Sequence, residues 1–299
     1  MAIKGSPDLS VMITTALVFG SIAGLVFGLF TFTGNDVTIT GLVAFSVILL
    51  GIQWYLGPSI VRWTSRAQEV SAQQAPELHA TVERIAKESG VPKPKLYVVN
   101  NQVPNAFAFG RGKSDAGIAV HTGLLQKLSR NEVEAVIAHE MGHIKHNDVM
   151  IMTIASVIPV LLYYITIMVL SKNDSRPNPI TAWMGGVVVQ FLGQLMILWL
   201  SRQREYYADA HSARVMKDPM PLASALAKIT YNIPGNTGNS SLNTLYVAEH
   251  GEVSEGVIRA VGRNDPKALL DAVDAEKDSP LEIIGTHPSL KKRLKSLLS

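Results

Sequence analysis

His139-Glu140-Met141-Gly142-His143 lies between the apolar stretch Ala135-Val136-Ile137-Ala138 and Ile144, and its spacing suits a helix. A helix turns about 100° per residue, so residues four apart return to nearly the same face and both imidazoles can meet one metal ion. Glu140, one position along, borders that site, where it can reach a water on the metal without being a ligand. The apolar flanks predict a packed helix, and buried polar groups need partners. A solvated surface helix carrying two histidines and a glutamate is the competing reading.

The surroundings favour the metal. Of 299 residues, 47% are hydrophobic, and mean hydropathy is +0.20. The apolar residues gather in four runs free of Asp, Glu, Lys, Arg and His: Val11 to Phe32, Val37 to Leu56, Val149 to Leu170 and Ile180 to Leu200. Each approaches the ~20 residues needed to cross a bilayer, and charge-free runs of this length predict four transmembrane helices. The first exceeds the apolar part of a signal peptide and has no small-x-small cleavage site at its end, so it reads as an uncleaved anchor. Spans without an ionisable residue make an ion transporter a poor alternative.

Lysine and arginine set the orientation. The link Thr33 to Asp36 has no positive charge and Ser171 to Pro179 has only Lys172 and Arg176, whereas Arg62, Arg66, Lys145, Arg202 and Arg204 lie near membrane ends of the long segments. Those segments, and both termini, are expected in the cytoplasm of a multi-pass protein of the cell membrane. The expected division is a membrane hairpin over 1–56, a soluble part over 57–148, a second hairpin over 149–200 and a second soluble part over 201–299. The formal charge of +3 follows from the same bias, and without basic-aromatic interleaving nucleic acid is not an expected partner. No cysteine is present, which excludes disulfides and thiolate metal sites.

The runs also locate a second half of the metal site. Ser129 and Glu132 form a capping-box pattern, so a helix is expected to start at Arg130 and to continue through Asp148 into the third run. His143 would then stand ~9 Å from Val149. The fourth run emerges at Ser201, and Glu205-Tyr206-Tyr207-Ala208-Asp209 sets one carboxylate ~8 Å beyond Leu200 and another four residues later on the same face. With antiparallel neighbouring helices, His139, His143 and Glu205 make a three-ligand site for one zinc ion, open at a fourth position as catalytic zinc requires. Asp209 suits the ring N–H of a ligand histidine. The bland alternative pairs Glu205 and Asp209 with Arg202 or Arg204, and His146, His211 and Asp148 compete as ligands.

These residues together resemble the HtpX-type membrane zinc metalloproteases, relatives of the prenyl-protein endopeptidases. The resemblance spans the anchor pair, Pro104 to Leu125, His139 to Asp148, the later runs, Glu205 to Asp209, and Thr286-His287-Pro288. It implies a mainly α integral membrane protein with a cytoplasmic helical metallopeptidase core carrying a small β-sheet, zinc on His139, His143 and Glu205, and catalysis by Glu140. The implied role is quality control, with damaged or misassembled membrane proteins, or unfolded proteins, as substrates. The seven-span relatives fit less well, since four spans are visible.

Between anchor pair and motif, Arg66 to Gly90 reads as a helix, Lys95 to Val99 as a strand, and Ala106 to Phe109 with Gly117 to Val120 as a pair around Gly110-Arg111-Gly112. From pattern alone Ala106 to Phe109 is an ordinary sheet strand, but an exposed strand beside a metal can pair with an extended substrate. The resemblance extends that role to Asn105, Ala106, Phe107 and Ala108. Pro221 to Tyr231 and Asp265 to Ala275 read as soluble helices, and Ser289 to Leu298 as a basic amphipathic end, a solvated face with some affinity for anionic lipid of the bilayer. His287 is either a loop residue or a group that approaches the zinc or an oxyanion. A membrane chaperone or scaffold with structural zinc is the alternative from another class. Substrate identity and oligomeric state are not legible.

Overall fold

The computed structural model describes residues 39–172, 179–231, 252–274, 285 and 287–298. The first apolar run lies outside them. In chain order the elements are α1 (Ile39–Ser65), β1 (Gln68–Glu69), α2 (Pro76–Ser89), β2 (Lys95–Val99), β3 (Ala106–Gly110), β4 (Ala116–His121), α3 (Thr122–Lys127), α4 (Arg130–Lys145), α5 (Asp148–Ala155), α6 (Ile158–Lys172), α7 (Pro179–Met216), α8 (Met220–Thr230), α9 (Glu252–Arg263), α10 (Pro266–Asp274) and α11 (Leu290–Leu298). Among the described residues the fold is mainly helical with one small sheet. The chain divides into two compact units, residues 1–53, 153–201 and 281–287 in one and 54–152, 202–280 and 288–299 in the other.

In the first unit α6 packs on the early part of α7 through glycines. A Cβ on Gly193 would stand 3.0 Å from Pro159 Cα, and one on Gly186 would stand 2.8 Å from the Tyr163 ring. Asp148–Leu170 and Ile180–Met216 are, among the described residues, long and apolar enough to cross a membrane by length and composition. Their large side chains mostly face outward, Phe191, Leu192 and Met196 being more than half exposed. Outward apolar surface of this extent is unfavourable in water and suits lipid.

In the second unit the strands lie in the order β1-β2-β4-β3. Pairing is parallel between β2 and β4 and antiparallel at both edges. Val82 and Ile85 from α2, Leu96, Ile118 and Val120 from the sheet, and Ile137, Ala138 and Met141 from α4 share one core. Truncating the fully buried Met141 to Ala would cost ~2–5 kcal/mol. A second cluster joins Ala223 and Ala227 of α8, Val257 of α9, Leu269 of α10 and Leu294 of α11.

Two elements differ from the sequence reading. The helix expected over Arg66 to Gly90 is shorter: Arg66 has φ +54°, the chain then pairs as β1, and α2 starts at Pro76, whose fixed φ suits a first turn. Its end is as expected, at Gly90 in the left-handed region with φ +70°. The helix expected from Arg130 through Asp148 is interrupted. It ends at Lys145, Asn147 takes φ +56°, and α5 restarts at Asp148. Asparagine tolerates that conformation better than most residues, so it is a natural breakpoint.

Candidate metal centre

The site is built on α4. At its N-terminus Ser129 and Glu132 form the capping box, and Glu132 is also held by Ser224 and, at 2.7 Å, by Lys228. Farther along, His139 and His143 present their Nε2 atoms to each other at 3.2 Å. Helix α7 brings Glu205 against them: its Oε2 lies 3.6 Å from His139 Nε2 and its Oε1 3.6 Å from His143 Nε2. Gly142 permits this approach, because a Cβ there would stand 3.0 Å from Ala208 Cα. Ser212 Oγ donates to Ala135 O at 2.7 Å and ties the same two helices together.

The donor set fits a metal ion. Donors about 2.0–2.1 Å from a tetrahedral cation stand roughly 3.3–3.5 Å apart, close to the three spacings here. The ring tautomers agree. His143 Nδ1 is 2.7 Å from Asp148 Oδ2, so its proton sits on Nδ1 and the Nε2 lone pair faces inward. His139 Nδ1 is 2.9 Å from Asp209 Oδ1, though out of line for a full hydrogen bond. Two inward lone pairs this close repel unless a positive species lies between them. Burial opposes charge on His143, yet the Asp148 hydrogen bond and the charges of Glu140, Glu205 and Asp148 raise its pKa to about 9. Surroundings that hold a proton so firmly favour a cation.

Glu140 is nearly buried, and its Oε2 accepts the Ala108 N–H at 2.8 Å. Burial pushes its carboxyl up, against the pull of both imidazoles. Ala108 lies on β3, an edge strand. His121 N–H donates to Asn105 O, so in the antiparallel alternation residues 105, 107 and 109 face β4, and Ala106, Ala108 and Gly110 turn their backbone groups to the open side. Asn105 is exposed, and Phe107 and Phe109 turn their rings to one another at 6.0 Å.

Around the donors lie Asp209 and two residues that the sequence reading puts elsewhere, Arg293 and Asp148. Asp209, 1% exposed, accepts Arg293 Nε at 2.8 Å and a terminal nitrogen at 2.5 Å. The other terminal nitrogen lies 3.2 Å from Glu205 Oε2. Burial raises the Asp209 carboxyl, but His139 and Arg293 together hold it below the usual range. Arg293 belongs to the terminal segment whose basic residues the sequence puts on a solvated face; it is buried instead. The signal was its place beside Leu294 and between Leu290 and Leu297, a basic residue within an apolar stripe. Asp148, read as a competing ligand, contacts the ring of His143, and Arg204 pairs with Asp148 and not with Glu205 or Asp209.

Other candidates lie apart. His211 is buried between Ser89 and Arg214, each at 2.8 Å, and burial with nearby Lys145 and Arg214 lowers its pKa to about 4. His146 packs its ring near those of Tyr207 and His211. Among the described residues the group able to hold a metal is His139, His143 and Glu205; His287 is exposed and outside it.

Comparison with known proteins gives a consistent picture. A model of the family described as Peptidase family M48 matches residues 72–299. The chain is 37% identical over 230 residues to a "Protease HtpX homolog" of Methanothermobacter thermautotrophicus, covering 75% of this chain and 86% of that protein. It is 36% identical over 267 residues to the namesake in Moorella thermoacetica, covering 86% and 83%. The Pyrococcus furiosus namesake is 32% identical over 298 residues, covering 95% and 94%. Among solved structures, the crystal structure of S. mikatae Ste24p superposes with a TM-score of 0.57 at 19% identity, covering 97% of this chain. This chain spans 65% of that structure's length.

Proposed function

Since the chain is a metallopeptidase of family M48, we propose that it binds one zinc ion and hydrolyses peptide bonds of damaged or misassembled membrane proteins at the cytoplasmic face of the cell membrane. One juxtaposition supports this most: Glu140 borders the three donors and touches the open edge of β3 through Ala108. His139, His143 and Glu205 would hold the ion. Zinc there would supply Lewis acidity, acidifying a water and polarising a carbonyl.

The chain's own residues do the rest. The outward backbone groups of Ala106 and Gly110 and the Ala108 carbonyl, the Ala108 N–H being held by Glu140, pair with an extended peptide, which gives affinity with little sequence preference. That mode suits unfolded substrates. Glu140, one residue from a ligand and against that strand, takes the proton of the attacking water and returns it to the departing amine. The Lys and Arg bias sets residues 57–148 and 201–299 on the cytoplasmic side, so cysteines introduced at Ser114 and Ser240 should resist an impermeant reagent in intact cells.

The test is zinc content and proteolysis of a membrane protein by detergent-purified enzyme, with and without chelator. Glu140→Gln should keep its zinc and lose ~10²–10⁴ in rate. A Glu140→Gln enzyme that binds zinc and cleaves at the wild-type rate would overturn the mechanism.

A further inference from the structure

Asp148 could not serve His143 if α4 ran on unbroken. Five residues along a helix is about 500° of turn, leaving the two side chains some 140° apart around the axis. The break at Asn147, with φ +56°, starts a new helix at Asp148 and turns its carboxylate back onto the His143 ring, 2.7 Å from Nδ1. The relation between the two residues therefore rests on a hinge outside any helical ladder. Something else must hold it.

Arg204 is placed to do so. Its Nε donates to Asp148 Oδ1 at 2.6 Å and a terminal nitrogen contacts the same oxygen. That terminal nitrogen also donates to His146 O at 3.2 Å, at the end of α4. One guanidinium thus grips both sides of the hinge, and its own position is set by α7, one residue before Glu205. Asp148 is 5% exposed, and a carboxylate so buried needs a cationic partner to remain ionised.

We propose that Arg204 is a positioning residue for the metal centre: acting through Asp148 across the Asn147 break, it holds His143 with Nε2 aimed at the ion and couples α4 to α7. This rests on the zinc reading above. Arg204 touches neither donors nor substrate, so its effect should appear in metal retention before turnover.

The test measures zinc affinity by competition with a chromophoric chelator, and visible spectra of the cobalt-substituted protein, in full-length detergent-purified wild type, Asp148→Asn, Arg204→Met, Arg204→Lys and the Asp148→Asn/Arg204→Met double variant. Asp148→Asn should lose ~10–100-fold in affinity, and Arg204→Met somewhat less. The double variant should be no worse than the poorer single one, because both act through one contact. Arg204→Lys, which keeps the charge but not the two-sided grip, should recover part of the loss and leave the cobalt spectrum altered. Melting of the metal-free proteins separates a folding defect from a positioning one: a variant that melts like wild type and still binds zinc weakly supports the proposal. Wild-type affinity and spectrum in Arg204→Met would overturn it, as would losses that add in the double variant. Wild type that binds no zinc would instead sink the reading beneath it.

Discussion

The two ends of α4 use the same chemistry for different purposes. At the first turn the buried carboxylate of Glu132 meets Lys228 from α8; beyond the last turn the buried carboxylate of Asp148 meets Arg204 from α7. Both are acid–base pairs far apart in sequence. They differ in the rest of each carboxylate's contacts. Glu132 accepts the Ser129 N–H and the Ser224 hydroxyl, so its pair is spent on ending one helix and docking another. Asp148 gives its second oxygen to His143 Nδ1. A buried ion pair by itself therefore does not mark a functional site; the partner of the remaining oxygen does. Changes at the far end should alter metal binding more than stability, and changes at the first turn the reverse.

The largest effect is expected where a donor is removed. Glu205→Ala leaves two imidazoles, and the purified protein should carry no stoichiometric zinc and show no turnover. Metal analysis after gel filtration checks this, and full zinc occupancy would remove Glu205 from the donor set. Asp209→Ala should be milder, weakening zinc by ~10–100-fold while the donors stay in place. Its loss also takes two of the hydrogen bonds of the buried Arg293 and leaves it only the Glu205 contact among those described, so the variant should melt lower than wild type. Equal zinc affinity in both proteins would show that the 2.9 Å approach to His139 does not serve the metal.

Smaller still is the effect at the helix contact. A Cβ on Gly142 meets Ala208 Cα at 3.0 Å, so Gly142→Ala should push α7 away by a few tenths of an ångström. Overpacking of this sort costs ~1–3 kcal/mol. Since Glu205 lies three residues before Ala208, zinc affinity should fall with stability. A variant that loses stability alone would separate the packing of α7 from its role as a donor carrier.

What was legible in the sequence follows from which distances a helix fixes. His139 with His143, and Glu205 with Asp209, are four apart on continuous helices, so periodicity alone sets their faces. The meeting of Glu205 with the histidines was reachable because both halves flank apolar runs joined by a short link. Asp148 was not legible in its role, since an unbroken helix would point it elsewhere and the left-handed turn at Asn147 is a single-residue event. Arg293 lies 84 residues beyond Asp209 and arrives through the docking of α11 into the second core cluster, which no local pattern encodes. The start of α2 was misplaced because nothing in the polar stretch after Arg66 distinguishes a helix from the short β1 pairing, whereas Gly90 marked its end through a conformation that glycine adopts readily.

The smallest effect, and the control for the comparison, belongs to the first turn. Burial raises the Glu132 carboxyl, but Lys228, Ser224 and the Ser129 N–H outweigh it and leave its pKa below the ordinary value. A carboxylate with a lowered folded pKa stabilises the fold above its unfolded pKa, near 4.3, and that contribution disappears as pH falls through the folded value. Glu132→Gln keeps the shape and removes the charge, so at pH 7 it should unfold ~1–3 kcal/mol more easily. The gap from wild type should narrow as the pH drops below about 4. Zinc affinity per folded molecule should be unchanged, because Glu132 is seven residues, about two helical turns, before His139. Chelator competition at pH 7 and unfolding across pH test the two halves separately. A stability gap that persists at low pH would assign the loss to packing and not to the Lys228 pair, and a fall in zinc affinity would mean that the two ends of α4 are coupled.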